Sequence, residues 1–401
     1  DLGMTNSCIA LINQKNDDKT ITVEVIENKD SKRVTPSIVS FTDNAILIGN
    51  HAKDKQLDNI DSTFYDVKRL IGKRFNEPQV RNDIKLLPYK VTDVGKGIIG
   101  LQVNKGKFKN KFLFPEQISA LVLSSLYESS KSKSNQHTNN AVITVPANFN
   151  EAQRRLTKDA AIIAGLNPVD TLSEPIAAAI DYAFASGEIN KDKESNVIVV
   201  DFGGGTLDVS LVQIKNFEFT VISTAGNNHF GGIDIDQYIY DEQCRLIHEE
   251  CGIDLSRTTT TNTDEITEMK KAKLLQLCEE AKITLSTKMS TAINIEIDGI
   301  DYTNKIRRTF IDSFFNEERS SFIVNPIETV ISKSKIDKEK ISHVILVGGS
   351  TRIPRVRELI QNIFDPRKDI TYSPVNPDEA IARGAGIYGA YRVQENIGES
   401  F

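Results

Sequence analysis

The densest run of residues able to do chemistry is Asp201-Phe-Gly-Gly-Gly-Thr-Leu-Asp208, directly after the apolar stretch Val197–Val200. Three consecutive glycines carry no Cβ, so the backbone can approach an anion closely and point its N–H groups at it. Phosphate is the natural guest. Asp201 and Asp208 flank the turn with carboxylate oxygens, the ligands preferred by hydrated magnesium or by potassium, and Thr206 adds a hydroxyl. Taken alone, the segment also fits a glycine-rich hairpin whose acids serve only solubility. A shorter segment, Asp1-Leu-Gly-Met-Thr-Asn6, is an ordinary turn by itself. Its value comes from pairing, because two such turns face to face would surround a polyphosphate and gather N–H donors and acids around a metal.

Other candidates are weaker locally. Gly348-Gly349-Ser350-Thr351-Arg352 joins a buried-type strand to a helix, which lets a flat or phosphorylated group lie against the backbone, and equally fits a plain strand-to-helix turn. A helix expected from about Asp264 to Leu285 has an apolar stripe at Leu274, Leu277, Ala281 and Leu285. Glu279, Lys282, Ile283 and Ser286 share a second face, which in isolation reads as a solvated surface. Lys68, Arg69 and Glu174 carry no local signal. There is no GxxxxGK[ST] loop, no GxSxG elbow, and the five histidines lack metal-ligand spacing. Walker-type, triad-hydrolase and zinc chemistry are therefore disfavoured.

At 401 residues the chain exceeds what one core usually serves. With 39% hydrophobic and 26% charged residues it matches a globular protein, and a net charge of -6 provides no general field for nucleic acid or anionic lipid. Four scattered cysteines point to reduced, intracellular thiols and a cytoplasmic setting. The longest apolar runs are strand-sized, so no membrane partner is expected.

Three elements recur in the same order in the two halves. The turn at Asp1–Asn6 answers that at Asp201–Asp208, and Ala141–Val145 with its following helix answers Val344–Val347 with its own. Ser173-Glu174-Pro175 before an alanine-rich helix likewise answers Asn376-Pro377-Asp378-Glu379 before Ala380–Ala390. The expected architecture is α/β, with two related lobes across a ligand cleft. Lobe I covers 1–183 with an outer subdomain at about 40–115, lobe II covers 184–390 with one at about 229–307, and a tail begins at 391. Polar stretches at Ser129–Asn140 and Thr258–Asp264 read as surface loops.

These segments resemble the seventy-kilodalton heat-shock chaperones along nearly the whole chain. Those that carry the likeness include DLGMTNSC, DVKRLIGKRF, ITVPANFNEAQRR, GLNPVDTLSEPIAAAIDYA, VVDFGGGTLDVS, STAGNNHFGG, CEEAKITLS, VILVGGSTRIP and NPDEAIARGA. The resemblance implies an actin-like ATPase fold with a ribonuclease-H-like core subdomain and an outer subdomain in each lobe. It implies that Asp1, Glu174, Asp201 and Asp208 surround magnesium, mostly through water, with potassium as a further cation. Gly3, Met4, Thr5, Asn6, Gly203, Gly204, Gly205, Thr206, Gly231 and Gly232 would line the phosphates, and Lys68 would position the attacking water. Adenosine would rest among Glu279, Lys282, Ile283, Ser286, Gly348, Gly349, Ser350, Arg352, Ile353 and Asp378. Pro146 and Arg154 match the relay to a peptide-binding domain. Implied partners are a J-domain cochaperone, a nucleotide-exchange factor, that peptide-binding domain and unfolded client peptides, with the fragment itself monomeric.

Four positions depart from the family pattern. Met4 replaces a threonine and Asn6 a tyrosine beside the phosphates. Ile283 replaces an arginine stacked on adenine, a cation–π loss of about 0.5–2 kcal/mol that weakens binding roughly 2- to 30-fold. Asp170 replaces an arginine that receives the acidic motif of J-domain partners, and this charge reversal opposes docking. The expected activity is slow hydrolysis of ATP to ADP and phosphate, driving peptide binding and release. The alternative is a weakly or non-hydrolysing relative acting as an exchange factor or ribosome-associated cochaperone. A sugar kinase of the same superfamily ranks far below, for want of a catalytic aspartate facing a sugar pocket.

Overall fold

The structure, a computed structural model, describes all residues except 15–20, 86, 134–137, 188–193, 217, 256–264, 365–374 and 398–401. Its centre is a four-stranded sheet ordered Glu218–Asn227, Leu207–Lys215, Ser195–Phe202, Ile341–Val347. The first three strands are antiparallel neighbours, and Ile341–Val347 runs parallel to Ser195–Phe202. An apolar run with no polar alternation must be covered on both faces. Accordingly Ile198, Val200 and Phe202 enter one core, whereas Val197 and Val199 enter another on the opposite side.

The first of these cores is built only from residues after Asn196. Into it the helix Glu265–Leu285 inserts Leu274, Ala281 and Leu285 of the expected stripe, while the fourth expected position, Leu277, is only partly buried and Cys278 is fully buried. A separate core draws only on residues up to Leu166, including Phe41, Phe64, Leu101 and Ile118. In that half Ala10–Gln14 pairs antiparallel with Ile21–Val25, and Asn140–Val145 runs parallel to Asn167–Ser173.

Two helices join the halves. Glu174–Ser186 carries Ala177, Ala178, Ala179 and Ala183, all fully buried, and such small side chains allow close helix approach. Across it lies Ala380–Ile397, where a Cβ added to Gly384 would collide with the Ala177 carbonyl and one on Gly386 would press on Ile12. This helix continues through Ile397, into the segment expected as a tail from 391. The loop expected at Ser129–Asn140 is also shortened. Ser129 and Ser130 lie buried in the helix Pro115–Lys133, with their hydroxyls bonded to the carbonyls of Ser125 and Tyr127 at 3.0 and 2.7 Å. The loop expected at Thr258–Asp264 lies outside the described residues. Among those described, no helix is long and apolar enough to cross a membrane.

The helix crossing yields a test. Gly384→Ala should destabilise the chain by about 1–3 kcal/mol, the range for overpacking a filled contact. Urea unfolding should show this as a lower midpoint with an unchanged slope.

Candidate functional site

Asp201 is the last but one residue of its strand and Asp208 the second of the next, opposite each other in the antiparallel pair. The Gly203 N–H donates to the Thr206 carbonyl at 3.0 Å and closes the turn. At the chain's start the Cys8 N–H donates to the Asp1 carbonyl at 3.0 Å, so the two turns span the same number of residues. They meet directly. A Cβ on Gly204 would collide with the Thr5 hydroxyl, and one on Gly205 would sit 3.2 Å from the Met4 sulfur. The Thr5 hydroxyl is buried and has no hydrogen-bond partner among the described residues. It is a donor waiting in a glycine cradle.

Both turns open onto a cleft of about 360 Å³, bordered also by Lys68, Glu174, Gly348, Gly349 and Asp378. Lys68 lies on the short 3-10 turn Val67–Arg69, and Glu174 is the first residue of its helix, where the helix dipole favours a carboxylate. The Lys68 ammonium donates to the Glu174 carboxylate at 2.6 Å, with both side chains only about one-tenth exposed. Its ammonium also lies 5.8 Å from the Phe149 ring centre. Asp1 accepts from the Thr144 hydroxyl at 3.1 Å.

Charge in the cleft is unbalanced. Asp201 is pushed up to about 8, first by withdrawal from water and then by the charges of Glu174 and Asp208, against the pull of Lys68. Asp208 rises to about 6 from withdrawal from water and Glu174, opposed by Lys68 and the Thr206 hydroxyl. Carboxyls raised in this way gain from an added cation, and their oxygens suit a hard one. Among the described residues no three acidic, histidine or cysteine side chains converge closely enough to ligate a metal directly. The carboxylate and hydroxyl oxygens bordering the cleft are donors of the kind a hard cation takes.

Comparison with known proteins agrees with this geometry. The family model described as "Hsp70 protein" matches residues 1–396. The chain belongs to the Hsp70 family. Heat shock 70 kDa protein 2 of Paracoccidioides lutzii is 40% identical over 396 residues, covering 97% of this chain and 56% of that protein. A ribosome-associated molecular chaperone of Saccharomyces cerevisiae is 39% identical over 393 residues, covering 97% of this chain and 60% of that protein. The chain spans a little over half the length of the curated relatives it matches.

In this Hsp70 chain most of the remaining expected residues are engaged with one another or with the second turn. Gly231 and Gly232 pack on Gly204, with the Gly232 N–H donating to the Gly203 carbonyl at 3.1 Å. The Ser350 hydroxyl donates to that same carbonyl at 2.8 Å, so these residues brace the turn from behind. Lys282 is committed to Asp236 and the Gly232 carbonyl at 2.7 and 3.0 Å. Glu279 is paired with Lys53 across the halves at 2.6 Å. Arg352 grips Asp378 through two nitrogens at 3.0 and 2.6 Å. Ser286 donates to the Lys282 carbonyl at 3.2 Å, Ile283 is 59% exposed, and Ile353 is buried in the core.

Sequence reasoning missed Arg69, Asn148, Phe149 and Gln153, all of which border the cleft. The Pro146–Phe149 loop is held by Arg154, which donates to the carbonyls of Phe149 and Ala147 at 3.1 and 3.4 Å. Gln153 closes a capping box with Asn150, a local signal that could have marked it, whereas Arg69 reaches the distant carbonyls of Gly205 and Asn228 and leaves no local pattern.

The raised carboxyl of Asp201 sets a pH dependence. With a folded-state value near 8 against the ordinary 3.8, the metal-free native state holds a proton that the unfolded chain has lost. Stability from this group is present at low pH and is lost as pH rises through about 8. Thermal melts without magnesium should fall between pH 6 and 8.5, and Asp201→Asn should flatten that slope. Magnesium-dependent nucleotide affinity should change the opposite way, strengthening as the proton leaves.

Proposed function

We propose that this chain binds magnesium and ATP between its two glycine turns and slowly hydrolyses ATP to ADP and phosphate, as the nucleotide-driven part of an Hsp70 chaperone. The observation that carries the reading is the contact of the turns, with the unpaired Thr5 hydroxyl and the Lys68–Glu174 pair bordering one cleft. Backbone N–H groups of both turns and the hydroxyls of Thr5 and Thr206 hold the phosphates. Asp1, Glu174, Asp201 and Asp208 hold the hydrated magnesium, which when bound supplies positive charge at the phosphate oxygens. Lys68 positions a water whose oxygen bonds to the γ-phosphorus as the bridging phosphorus–oxygen bond breaks. ADP leaves with the electron pair, and the released phosphate and solvent take up the water's protons.

On this reading Arg352 and Asp378, with Gly349 and the face of Glu279, Lys282, Ile283 and Ser286, flank adenosine. Ile283 offers apolar contact and no cation. The lobes correspond to 1–183 and 184–390, each with its outer subdomain at about 40–115 or 229–307. The cores confined to the two halves support this division.

The chaperone cycle itself belongs to a longer protein. ATP turnover would switch a peptide-binding domain that takes unfolded client segments, with Pro146 and Arg154 relaying the change. An exchange factor would release ADP in the cytoplasm. The Asp170 carboxylate accepts from the Tyr388 hydroxyl at 2.7 Å, which fixes it against the helix Ala380–Ile397 and leaves no arginine for an acidic J-domain motif.

Calorimetric titration should show ATP and ADP binding that weakens markedly without magnesium. In single-turnover hydrolysis Lys68→Ala should lower the rate by at least about a hundredfold, the lower end for losing a positioned proton-handling or charge-stabilising group. Binding without any measurable turnover in the parent chain would instead favour the non-hydrolysing cochaperone.

A further inference from the structure

Lys68 and Arg69 are consecutive, yet they serve opposite sides of the cleft. Lys68 reaches Glu174 within the first half. Arg69 reaches the second half, where one terminal nitrogen donates to the Gly205 carbonyl at 2.9 Å and the other to the Asn228 carbonyl at 2.6 Å. Gly205 belongs to the phosphate-facing turn, and Asn228 to the loop between the strand Glu218–Asn227 and the helix Gly232–Cys251. A Cβ on Gly205 would strike the guanidinium, so the fit is tight. A second contact lies alongside: the His229 ring nitrogen is 3.7 Å from Asp83, a buried carboxylate bordering the same cleft whose oxygens accept no hydrogen bond among the described residues. Two neighbouring residues of one loop are thus addressed by two residues of the opposite half.

We propose that Arg69 is a positioning residue that clasps the second turn to the segment carrying Lys68, so that the reactive lysine reaches its working place only when the halves are closed. This rests on the nucleotide site proposed above and deepens it. A guanidinium suits the task because its planar fork reaches two carbonyls at once and stays charged. Fixing the Gly205 carbonyl also fixes the peptide plane that follows it, and with it the direction of the Thr206 N–H toward the phosphates. Because Val67–Arg69 is a single 3-10 turn, any opening that pulls Gly205 away from Arg69 shifts Lys68 as well. Closure and catalytic geometry then change together.

The test compares Arg69→Ala and Arg69→Lys with the parent 401-residue chain, reading the ADP dissociation rate by stopped-flow and single-turnover hydrolysis at saturating magnesium and ATP. Loss of hydrogen bonds from a charged donor corresponds to about tenfold or more. Both variants should release ADP at least about tenfold faster and hydrolyse at least about tenfold slower, while nucleotide-free thermal melts stay close to the parent. Lysine keeps the charge but not the fork. If Arg69→Lys restores both rates, charge alone matters and the clasp is overturned; if Arg69→Ala leaves both rates unchanged, the contact is idle. Should the parent chain fail to bind nucleotide at all, the proposed function falls and not the clasp alone.

Discussion

The Thr5 hydroxyl lies so close to Gly204 that the second turn has no space for a Cβ, and this packing limit governs the surroundings. Backbone can approach backbone here only because side chains are missing. Once the turns touch, Asp1 and Asp201 are delivered to the same cleft, and Lys68 and Glu174 close it. Ser350, Gly231 and Gly232 are then spent on holding the second turn in place from behind.

Concentrating carboxylates in this manner is costly without a counter-charge. Lys68 is the cation paired directly with the cluster, and Asp201 and Asp208 respond by holding their protons more tightly. An incoming cation would relieve the same crowding that destabilises the bare charges. Around the turns the opposite solution prevails: Asp236 and Lys282, or Asp378 and Arg352, satisfy one another and brace the walls.

The fold supports this arrangement by tying both halves to one pair of crossed helices. The central sheet is covered on both faces, and Glu174–Ser186 with Ala380–Ile397 lies between the sheet and the first half's strands. Movement between halves would then act on contacts that cross the cleft, namely Lys53–Glu279, Arg69 with Gly205 and Asn228, and His229 near Asp83.

The sequence alone determined the glycine turns, the buried strands, the apolar stripe of Glu265–Leu285 and the recurrence of elements between halves. Each is a local property, set by missing Cβ atoms, hydrophobic period or a helix-starting residue. Resemblance added Lys68 and Glu174, which no nearby residue distinguishes. Only the tertiary structure decided that Arg69 grips Gly205, that Lys282 is already paired with Asp236, that Ser129 and Ser130 are buried in a helix, and that the early turns of the last helix press on the first half. Arg69 and Gly205 stand 136 positions apart in the chain. A hydrogen bond of that span leaves no periodic trace, because its strength depends on where the whole fold sets two backbones and not on the residues beside either partner.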